Sequence, residues 1–377
     1  MDQSLFEKLK EARHHLHKHP ELSGKERKTS EYLKEQVKLT RPDEIISFRN
    51  YGFVAHYKRG SGKKILVRAD FDALPIAEVN EFEYQSIVHN VSHKCGHDGH
   101  ASILLGLCYL LKSENLKGDV YALFQPAEEN GQGAVQMLER RKFSKIKADF
   151  ALALHNLPGF PLHEVLCKSG TFTAAAKSLV LTFKGMTSHA AEPEKGKNPA
   201  VAMAEVTMAF AKKNHPDVEA EDFQLVTPIY TTMGEKSYGV SAGYGELHFT
   251  LRAWKNDRME ALESELVKIA KSIGERHEIQ LEIDWCETFQ ANENDEQVVK
   301  AIREASDLLD MHYKRRDYPF KWGEDFGAFT RSIPGAMFGI GSGKDMPALH
   351  NPDYDFPDEL LKTAPKLFLE IIKNLQA

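Results

Sequence analysis

The sequence predicts an α/β fold, and two observations support this prediction. Segments with the pattern of strands alternate along the first half of the chain with segments that have the pattern of helices. Hydrophobic residues make up 42% and charged residues 28% of the 377 residues, which is the composition of a globular protein. Because alternating strands and helices form βαβ units, we expect a parallel sheet with helices on its faces.

The elements follow in order along the chain. MDQSLFEKLKEARHHL has the spacing of an amphipathic charged helix, and Ser23 followed by Glu26 has the form of a capping box that opens a second helix, through TSEYLKEQV. KKILVRAD, GDVYALF and ADFALAL have the pattern of buried strands. GHASILLGLCYLLKSE predicts a buried helix before the second of these strands, and GAVQMLERRK predicts a helix before the third. Near the end, AMFGIG is strand-like and a further helix begins near PDELLKTAPKLF.

Charge and apolar patterning narrow the class of partner. The formal net charge is −6, and no basic stretch indicates nucleic acid or a membrane surface. No apolar run approaches the length that spans a bilayer, and the N-terminal segment is charged rather than apolar. The four cysteines are few and scattered, which argues against a disulfide scaffold. We therefore expect a cytoplasmic protein that binds a small molecule.

Acidic residues and a histidine follow three of the predicted strands. Asp70 and Asp72 follow KKILVRA, Glu128 and Glu129 follow VYALFQPA, and His155 follows ADFALAL. In an open α/β sheet the carboxyl ends of the strands form the ligand crevice, so these side chains are expected at one edge. Glu-Glu pairs are common on solvated helix faces, but this pair follows an apolar strand and a proline.

Further metal-binding side chains are expected at the same edge. HKCGHDGH places Cys95 and His97 immediately before the buried helix, and His350 lies in the loop after AMFGIG. A single histidine is more often a surface or hydrogen-bonded residue than a ligand, so the argument depends on the group. No second Cys/His pair lies at zinc-finger spacing, which favours an open catalytic site over a structural one.

Ordered motifs along nearly the whole chain resemble those of the aminoacylase/carboxypeptidase metallohydrolases. Within that family they are similar to the hippurate-hydrolase-like amidohydrolases, which cleave N-acyl amino acids. The matching segments, in order, are LHKHPELS (16–23), RADFDALPI (68–76), HKCGHDGHAS (93–102), FQPAEENGQGA (124–134), LHNLPG (154–159), GMTSHAAEPEKGKNPA (185–200), EDF (324–326) and LHNPDYDF (349–356).

The resemblance implies two domains. A zinc-peptidase-like α/β catalytic domain would comprise residues 1–175 and 287–377, with a smaller α/β sandwich, a lid or dimerisation domain, inserted at 176–286. The sequence supports this domain boundary, because the inserted segment contains a self-contained βαββαβ-like set of elements. These are SLVLTFKG, NPAVAMAEVTMAFAKK, GELHFTLRAW, RMEALESELVKIAKSIGERH and IQLEIDW.

The resemblance also implies the chemistry. Two divalent metal ions, of zinc, manganese, nickel or cobalt, would be held by five ligands, of which the Cys95 thiolate bridges: Cys95, His97, Glu129, His155 and His350. Glu128 would be the general base that passes a proton from an activated water to the leaving amine. Asp70 would orient a ligand histidine, and His100 is expected to be structural.

The resemblance assigns two residues to the inserted domain. His189 would stabilise the oxyanion of the tetrahedral intermediate. Arg252 would bind the substrate carboxylate, although an arginine in an ion pair on the sheet surface is an equal alternative. The inserted domain is also expected to form a homodimer. The chain departs from the subgroup at Gly239, where asparagine is usual, and at Phe249, where glycine is usual.

Three functions remain open at this stage. The favoured one is hydrolysis of the amide bond of an N-acyl amino acid, which releases a carboxylate and a free amino acid. A dipeptidase or carboxypeptidase differs only in whether the acyl group carries an amine. A non-catalytic binding protein could use the same fold and metals, but it would not need Glu128 beside them.

Overall fold

The computed structural model of the protein describes residues 2–377. Contacts divide the chain into two compact units. The first contains the residues up to Phe172 together with Asn292–Asp317 and Asp325–Ala377, and the second contains Thr173–Ala291 and Tyr318–Glu324. The sequence analysis placed the inserted domain at residues 176–286, close to the observed boundaries. It did not anticipate that residues 318–324 also belong to the second unit. A catalytic role for one unit and a lid or dimerisation role for the other stay predictions.

Helices account for much of the described chain. The α-helices are α1 (Gln3–Lys18), α2 (Arg27–Lys38), α3 (His97–Leu111), α4 (Gly133–Leu138), α5 (Ala200–Ala211), α6 (Asn256–Arg276), α7 (Glu296–Leu308), α8 (Gly327–Thr330) and α9 (Leu360–Leu375). Short 3-10 helices lie at Phe143–Lys145 and Pro193–Lys195. The predicted helices are confirmed, although α4 is shorter than GAVQMLERRK suggested.

Strands complete the α/β fold that the sequence predicted. They are β1 (Glu44–Ser47), β2 (Phe53–Ser61), β3 (Ile65–Asp70), β4 (Gly118–Gln125), β5 (Phe150–Pro158), β6 (Val165–Cys167), β7 (Gly170–Thr173), β8 (Ala175–Lys184), β9 (Ser188–His189), β10 (Gln224–Met233), β11 (Val240–Ser241), β12 (Tyr244–Ala253), β13 (Gln280–Phe289), β14 (Asn292–Asn294), β15 (Tyr313–Arg315) and β16 (Gly335–Gly343).

The first unit is built on an eight-stranded sheet in the order β1-β2-β4-β3-β5-β16-β6-β15. The four central strands, β4, β3, β5 and β16, are parallel to their neighbours in this group. The flanking pairs β1/β2, β2/β4 and β16/β6 are antiparallel. The pair β6/β15 at the other edge is parallel, so the predicted parallel sheet is confirmed for its centre, whereas its flanks are mixed.

Burial explains why the central strands have no polar alternation. Every residue of β3 and β4 is buried, as is every residue of β5 except Pro158. Both faces of such strands are covered, so the sequence is nearly continuous in apolar residues. Helix α3 packs against β3 and also contacts α1 and α9. Gly106 permits the contact with α9, since a Cβ there would lie 2.7 Å from the ring of Pro365.

The second unit has a four-stranded antiparallel sheet in the order β10-β12-β8-β13. Burial alternates along β12, and α5 and α6 pack on the sheet. Phe249 is buried in this core, with its ring centroid 4.9 Å from that of Phe210. Phe249, which replaces the glycine usual in the subgroup, is thus a core residue of this unit. Strand β10 was not predicted from the sequence.

The helices of residues 2–377 differ from membrane-spanning helices in length or in apolar character. None of them combines the length and the apolar character that a membrane-spanning helix needs.

Candidate metal centre

The five predicted ligands lie together in the first unit, in two overlapping groups. One group is Cys95, His97 and His155, and the other is Cys95, Glu129 and His350. Within each group, one donor atom from each residue lies within 4.8 Å of the other two. Cys95 is common to both groups, which is the position that a bridging ligand requires.

Regular elements place the two buried histidines. His97 is the first residue of α3, and His155 lies within β5 rather than after it as predicted. Gly96, directly before α3, has a left-handed backbone (φ 94°), and a Cβ there would lie 2.6 Å from the Asn156 side chain. Glycine at this position therefore allows Cys95 and His97 to approach the strand that carries His155.

Hydrogen bonds fix which ring nitrogen of each histidine faces the cluster. His97 Nδ1 lies 3.1 Å from both the carbonyl and a carboxylate oxygen of Asp72, and His155 Nδ1 lies 2.8 Å from the carbonyl of Asn156. These neighbours only accept, so Nδ1 carries the proton in both rings and donates. Nε2 of each ring is left as an electron-pair donor toward Cys95 and the carboxylates, as a metal ligand must be.

Two buried atoms in the cluster have no hydrogen-bond partner among the described residues 2–377. They are His97 Nε2 and Glu129 Oε1, which lie 3.8 Å apart. Buried polar atoms are almost always paired, so an unpaired nitrogen and oxygen that face each other need an explanation. Thiol, imidazole and carboxylate donors around this point fit a zinc-type divalent ion better than magnesium or calcium.

The protonation of the cluster supports the same conclusion. Burial and the carboxylate of Asp72 raise the pKa of Glu129 to about 7. Burial, together with Glu129, raises the pKa of the Cys95 thiol well above its usual range. Burial and His100 lower the pKa of His155 well below its ordinary value. A divalent cation favours the carboxylate and the thiolate, so Glu129 and Cys95 would release protons to solvent when it binds, whereas the imidazole of His155 is already neutral.

The contact that orients His97 comes from Asp72, whereas the sequence interpretation expected Asp70 to orient a ligand histidine. Asp72 accepts from His97 Nδ1 through one oxygen, and its other oxygen accepts from the Glu129 backbone N–H at 3.0 Å and from the Ser23 hydroxyl at 2.7 Å. Asp72 therefore fixes two segments that carry predicted ligands. A carboxylate oxygen of Asp70 lies 3.8 Å from Nε2, the other ring nitrogen of His97.

Asp70 belongs to a buried hydrogen-bond network beneath the cluster. It accepts from Arg68 at 2.5 Å and from His100 Nδ1 at 2.6 Å. The other ring nitrogen of His100 contacts Asn156 Oδ1 at 2.5 Å, and the Asn156 amide donates to the Tyr354 hydroxyl. His100 is held on both sides by this network, in agreement with the structural role expected for it.

The segment that carries Glu128 and Glu129 is held by a residue far away in sequence. The preceding Ala127 has a left-handed backbone (φ 55°), which is uncommon for a residue other than glycine. Its N–H donates to the buried carboxylate of Glu26 at 2.8 Å. The predicted capping box is therefore wrong, because Ser23 bonds to Asp72 and Glu26 bonds to Ala127 rather than to the start of α2.

Glu128 lies at the edge of the cluster and is itself buried. One of its carboxylate oxygens lies 3.9 Å from His97 Nε2, and the other accepts from the Asp325 N–H at 3.4 Å. His97, Glu128 and Glu129 form a further group whose donor atoms lie within 4.8 Å of one another. The carboxylate predicted to act as a base thus lies beside the predicted ligands.

The two residues predicted to act from the inserted domain lie in the second unit. His189 is exposed, and its Nδ1 accepts from the Ala191 N–H at 3.1 Å, which leaves the proton on Nε2. Arg252 donates to the carbonyl of Lys321 at 2.6 Å. A Cβ at Gly239 would meet no atom within 4 Å, so packing does not require glycine there.

The sequence model of the peptidase family M20/M25/M40 matches residues 66–374, which is most of the chain and includes all five candidate ligands. The chain belongs to this family. It is a metal-dependent amidohydrolase, as its relatives in the family also indicate.

Proteins similar to this chain include a hydrolase and a deacetylase. A hippurate hydrolase from Campylobacter jejuni is 29% identical over 372 residues, which cover 98% of this chain and 96% of the relative. An N-acetyldiaminopimelate deacetylase from Oceanobacillus iheyensis is 29% identical over 369 residues, 97% and 99% of the two chains. A solved Bacillus subtilis structure, a dinuclear metal-binding M20 peptidase, matches 100% of this chain and 99% of its own with a TM-score of 0.84 and 26% identity.

Proposed function

We propose that this M20/M25/M40 family protein hydrolyses the amide bond of N-acyl amino acids and releases a carboxylate and a free amino acid. The observation that carries the proposal is the unpaired, buried pair of His97 Nε2 and Glu129 Oε1, with Glu128 beside it. A binding protein has no need for an additional carboxylate at this position. The hippurate hydrolase and the deacetylases among the relatives support the substrate class.

Two divalent ions, of zinc, manganese, nickel or cobalt, would be held by the two groups described above. Cys95, His97 and His155 would hold one ion, and Cys95, Glu129 and His350 the other, with the Cys95 sulfur shared. When bound, the ions supply Lewis acidity and charge stabilisation to the reaction. The protein itself supplies two buried histidines, His97 and His155, whose Nδ1 atoms are already hydrogen-bonded and therefore fix the orientation of both rings.

Glu128 is assigned as the general base. Its carboxylate would take a proton from the attacking water and deliver it to the amide nitrogen as the carbon–nitrogen bond breaks. The amine then leaves as a neutral group and the acyl group as a carboxylic acid, whose remaining proton passes to the amine or to solvent to leave the carboxylate. The hydrogen bond from the Asp325 N–H orients one oxygen, while the other oxygen faces the ligand histidine His97.

The second unit is assigned the remaining contacts. The Nε2–H of His189 is a donor that can stabilise the oxyanion of the tetrahedral intermediate, and the guanidinium of Arg252 can bind the substrate carboxylate. We further propose a cytoplasmic homodimer that forms through this unit. These assignments come from the family resemblance, and the donor state of His189 is compatible with them.

Charge-neutral substitutions of the two adjacent glutamates test the proposal. Glu128→Gln should retain both metal ions and substrate affinity but lose about 10²–10⁴-fold in kcat, whereas Glu129→Gln should lose metal. Elemental analysis and kinetics on N-acetyl and N-benzoyl amino acids measure both effects. Glu139→Gln makes the same charge change at an exposed site and serves as the control. Equal metal loss in both glutamate variants would contradict the assignment.

Dipeptides assayed in the same substrate series distinguish the proposed activity from that of a dipeptidase. A dipeptidase would prefer substrates whose acyl group carries a free amine. Preference for N-acyl amino acids at equal metal loading is the expected result, and faster hydrolysis of dipeptides would overturn the proposed substrate class. Absence of turnover on every substrate by fully metal-loaded protein would favour a binding function.

Subunit complementation tests the role of His189. Glu128→Gln is mixed with His189→Ala under conditions that let subunits exchange. If His189 acts in the partner's site, each hybrid dimer has one site with both residues intact, and activity returns. Hybrids that form but stay inactive would show that His189 serves its own subunit or has no catalytic role.

A further inference from the structure

A buried lysine directly precedes the shared ligand Cys95. Lys94 is fully buried, and its ammonium group forms an ion pair with Glu78. It also donates to the carbonyl of Tyr354 at 2.8 Å and lies 3.3 Å from the side-chain oxygen of Asn80. Burial of an ammonium ion is costly unless its charge and its N–H donors are satisfied. Here Glu78, Asn80 and Tyr354, all in the first unit, satisfy them.

Lys94 also holds the loop that carries His350. The carbonyl of Lys94 accepts from the backbone N–H of His350 at 2.7 Å. His350 has a left-handed backbone (φ 67°), which is unfavourable for a residue other than glycine and persists only when its surroundings hold it. Together with the bond to the Tyr354 carbonyl, Lys94 therefore contacts this loop at two points, four residues apart.

The two ligand groups differ in how they are supported. His97 and His155 lie on a helix and a strand, and their rings donate to Asp72 and Asn156. The His350 side chain is 52% exposed, and it lies in the loop that joins β16 to α9 without a helix or strand. The position of His350 therefore depends on the loop contacts rather than on a regular element.

We propose that Lys94 is a positioning residue for the second group, Cys95, Glu129 and His350. Its backbone and side chain keep the Cys95 loop and the His350 loop at the spacing that both ligands need. This inference rests on the proposed two-metal function and adds a specific claim: loss of the Lys94 side chain weakens one metal ion and leaves the other unchanged. A general structural role would not separate the two ions.

The test is the binding of cobalt and zinc to the metal-free full-length protein, measured by calorimetry, with substitutions at Lys94. Lys94→Met removes the ammonium group but leaves the carboxylate of Glu78 buried. Glu78 keeps contacts with His17 at 2.9 Å and with the Ser86 N–H at 2.7 Å. The double variant Lys94→Met/Glu78→Gln removes both charges, so it keeps the experiment decisive if the single variant does not fold.

Wild type is expected to bind two ions. In the Lys94 variants the tighter ion should bind as in wild type and the other at least about tenfold more weakly, the scale on which supporting contacts act on metal sites. The cobalt–thiolate absorption should persist, because Cys95 remains a ligand of the first group. Lys112→Met, an exposed lysine at the other end of α3, is the matched control and should bind both ions normally.

Other outcomes would overturn the inference in distinguishable ways. Two ions bound with wild-type affinity by the Lys94 variants would show that the side chain does not position His350. Equal weakening of both ions would show a general structural effect. Failure of wild type itself to bind two ions would contradict the proposed function, and the inference with it.

Discussion

His17 provides a quantitative test of the buried charges around the ligand loop. His17 is fully buried in α1, with Nδ1 2.8 Å from a carboxylate oxygen of Asp98 and Nε2 2.9 Å from Glu78. Both neighbours accept, so the doubly protonated ring satisfies both contacts. Burial alone would lower the pKa of His17, but the hydrogen bonds to Asp98 and Glu78 raise it to about 9.

This pKa determines how the contribution of His17 to the free energy of unfolding changes with pH. A histidine whose folded-state pKa exceeds its unfolded value of 6.5 contributes stability that is fully present below 6.5 and is lost as the pH rises through 9. The shift corresponds to on the order of 3 kcal/mol of unfolding free energy. Since His17 is buried, little of this is screened by solvent.

The perturbation is His17→Gln, which retains hydrogen-bonding atoms but cannot titrate. Urea unfolding of the metal-free protein at about pH 6 and about pH 10 gives the loss of unfolding free energy over that range. Wild type should lose on the order of 3 kcal/mol more than the variant. His89→Gln, at an exposed histidine, should behave as wild type. Parallel pH dependence in wild type and His17→Gln would refute the argument.

Three further predictions concern the ligands and their support. Cys95→Ala should lower bound metal and abolish turnover together, because Cys95 belongs to both ligand groups; full metal content by elemental analysis would exclude it as a ligand. Asp72→Asn should weaken metal binding about 10–100-fold and more than Asp70→Asn, and the reverse order in calorimetry would restore the sequence-based assignment. Gly99→Ala should cost about 1–3 kcal/mol in urea unfolding, because a Cβ would lie 2.4 Å from the ring of Phe356; unchanged stability would show that this ring moves freely.

Much of the fold could be predicted because the central strands and α3 are buried and largely apolar. Such runs leave few alternatives to burial, and the strand ends then place the donors. Strand β10 was missed because it is an edge strand that is largely exposed and contains Pro228, beside which its register shifts. Proline at a bulge of an edge strand removes the local pattern that identifies a strand.

The errors at the site have a common physical cause. Ser23 and Glu26 have the spacing of a capping box, but both side chains bond to residues that are distant in sequence. Asp70 and Asp72 are two residues apart at the end of β3, and no local pattern distinguishes which of them meets His97. Only the tertiary structure, which places β3 against the start of α3, decides this.

The proposed ligands divide by the kind of structure that supports them. Two histidines are placed by α3 and β5, and local sequence patterns predicted both elements. Glu129 and His350, the two residues found only in the second group, lie in loops. Glu129 comes two residues after Ala127, which has a left-handed backbone, and His350 has a left-handed backbone itself. These backbones are held by Glu26 and by Lys94, both buried and neither a ligand. The second group therefore depends on tertiary contacts of residues outside it, so we expect substitutions at Glu26 or Lys94 to alter metal binding while every proposed ligand is retained.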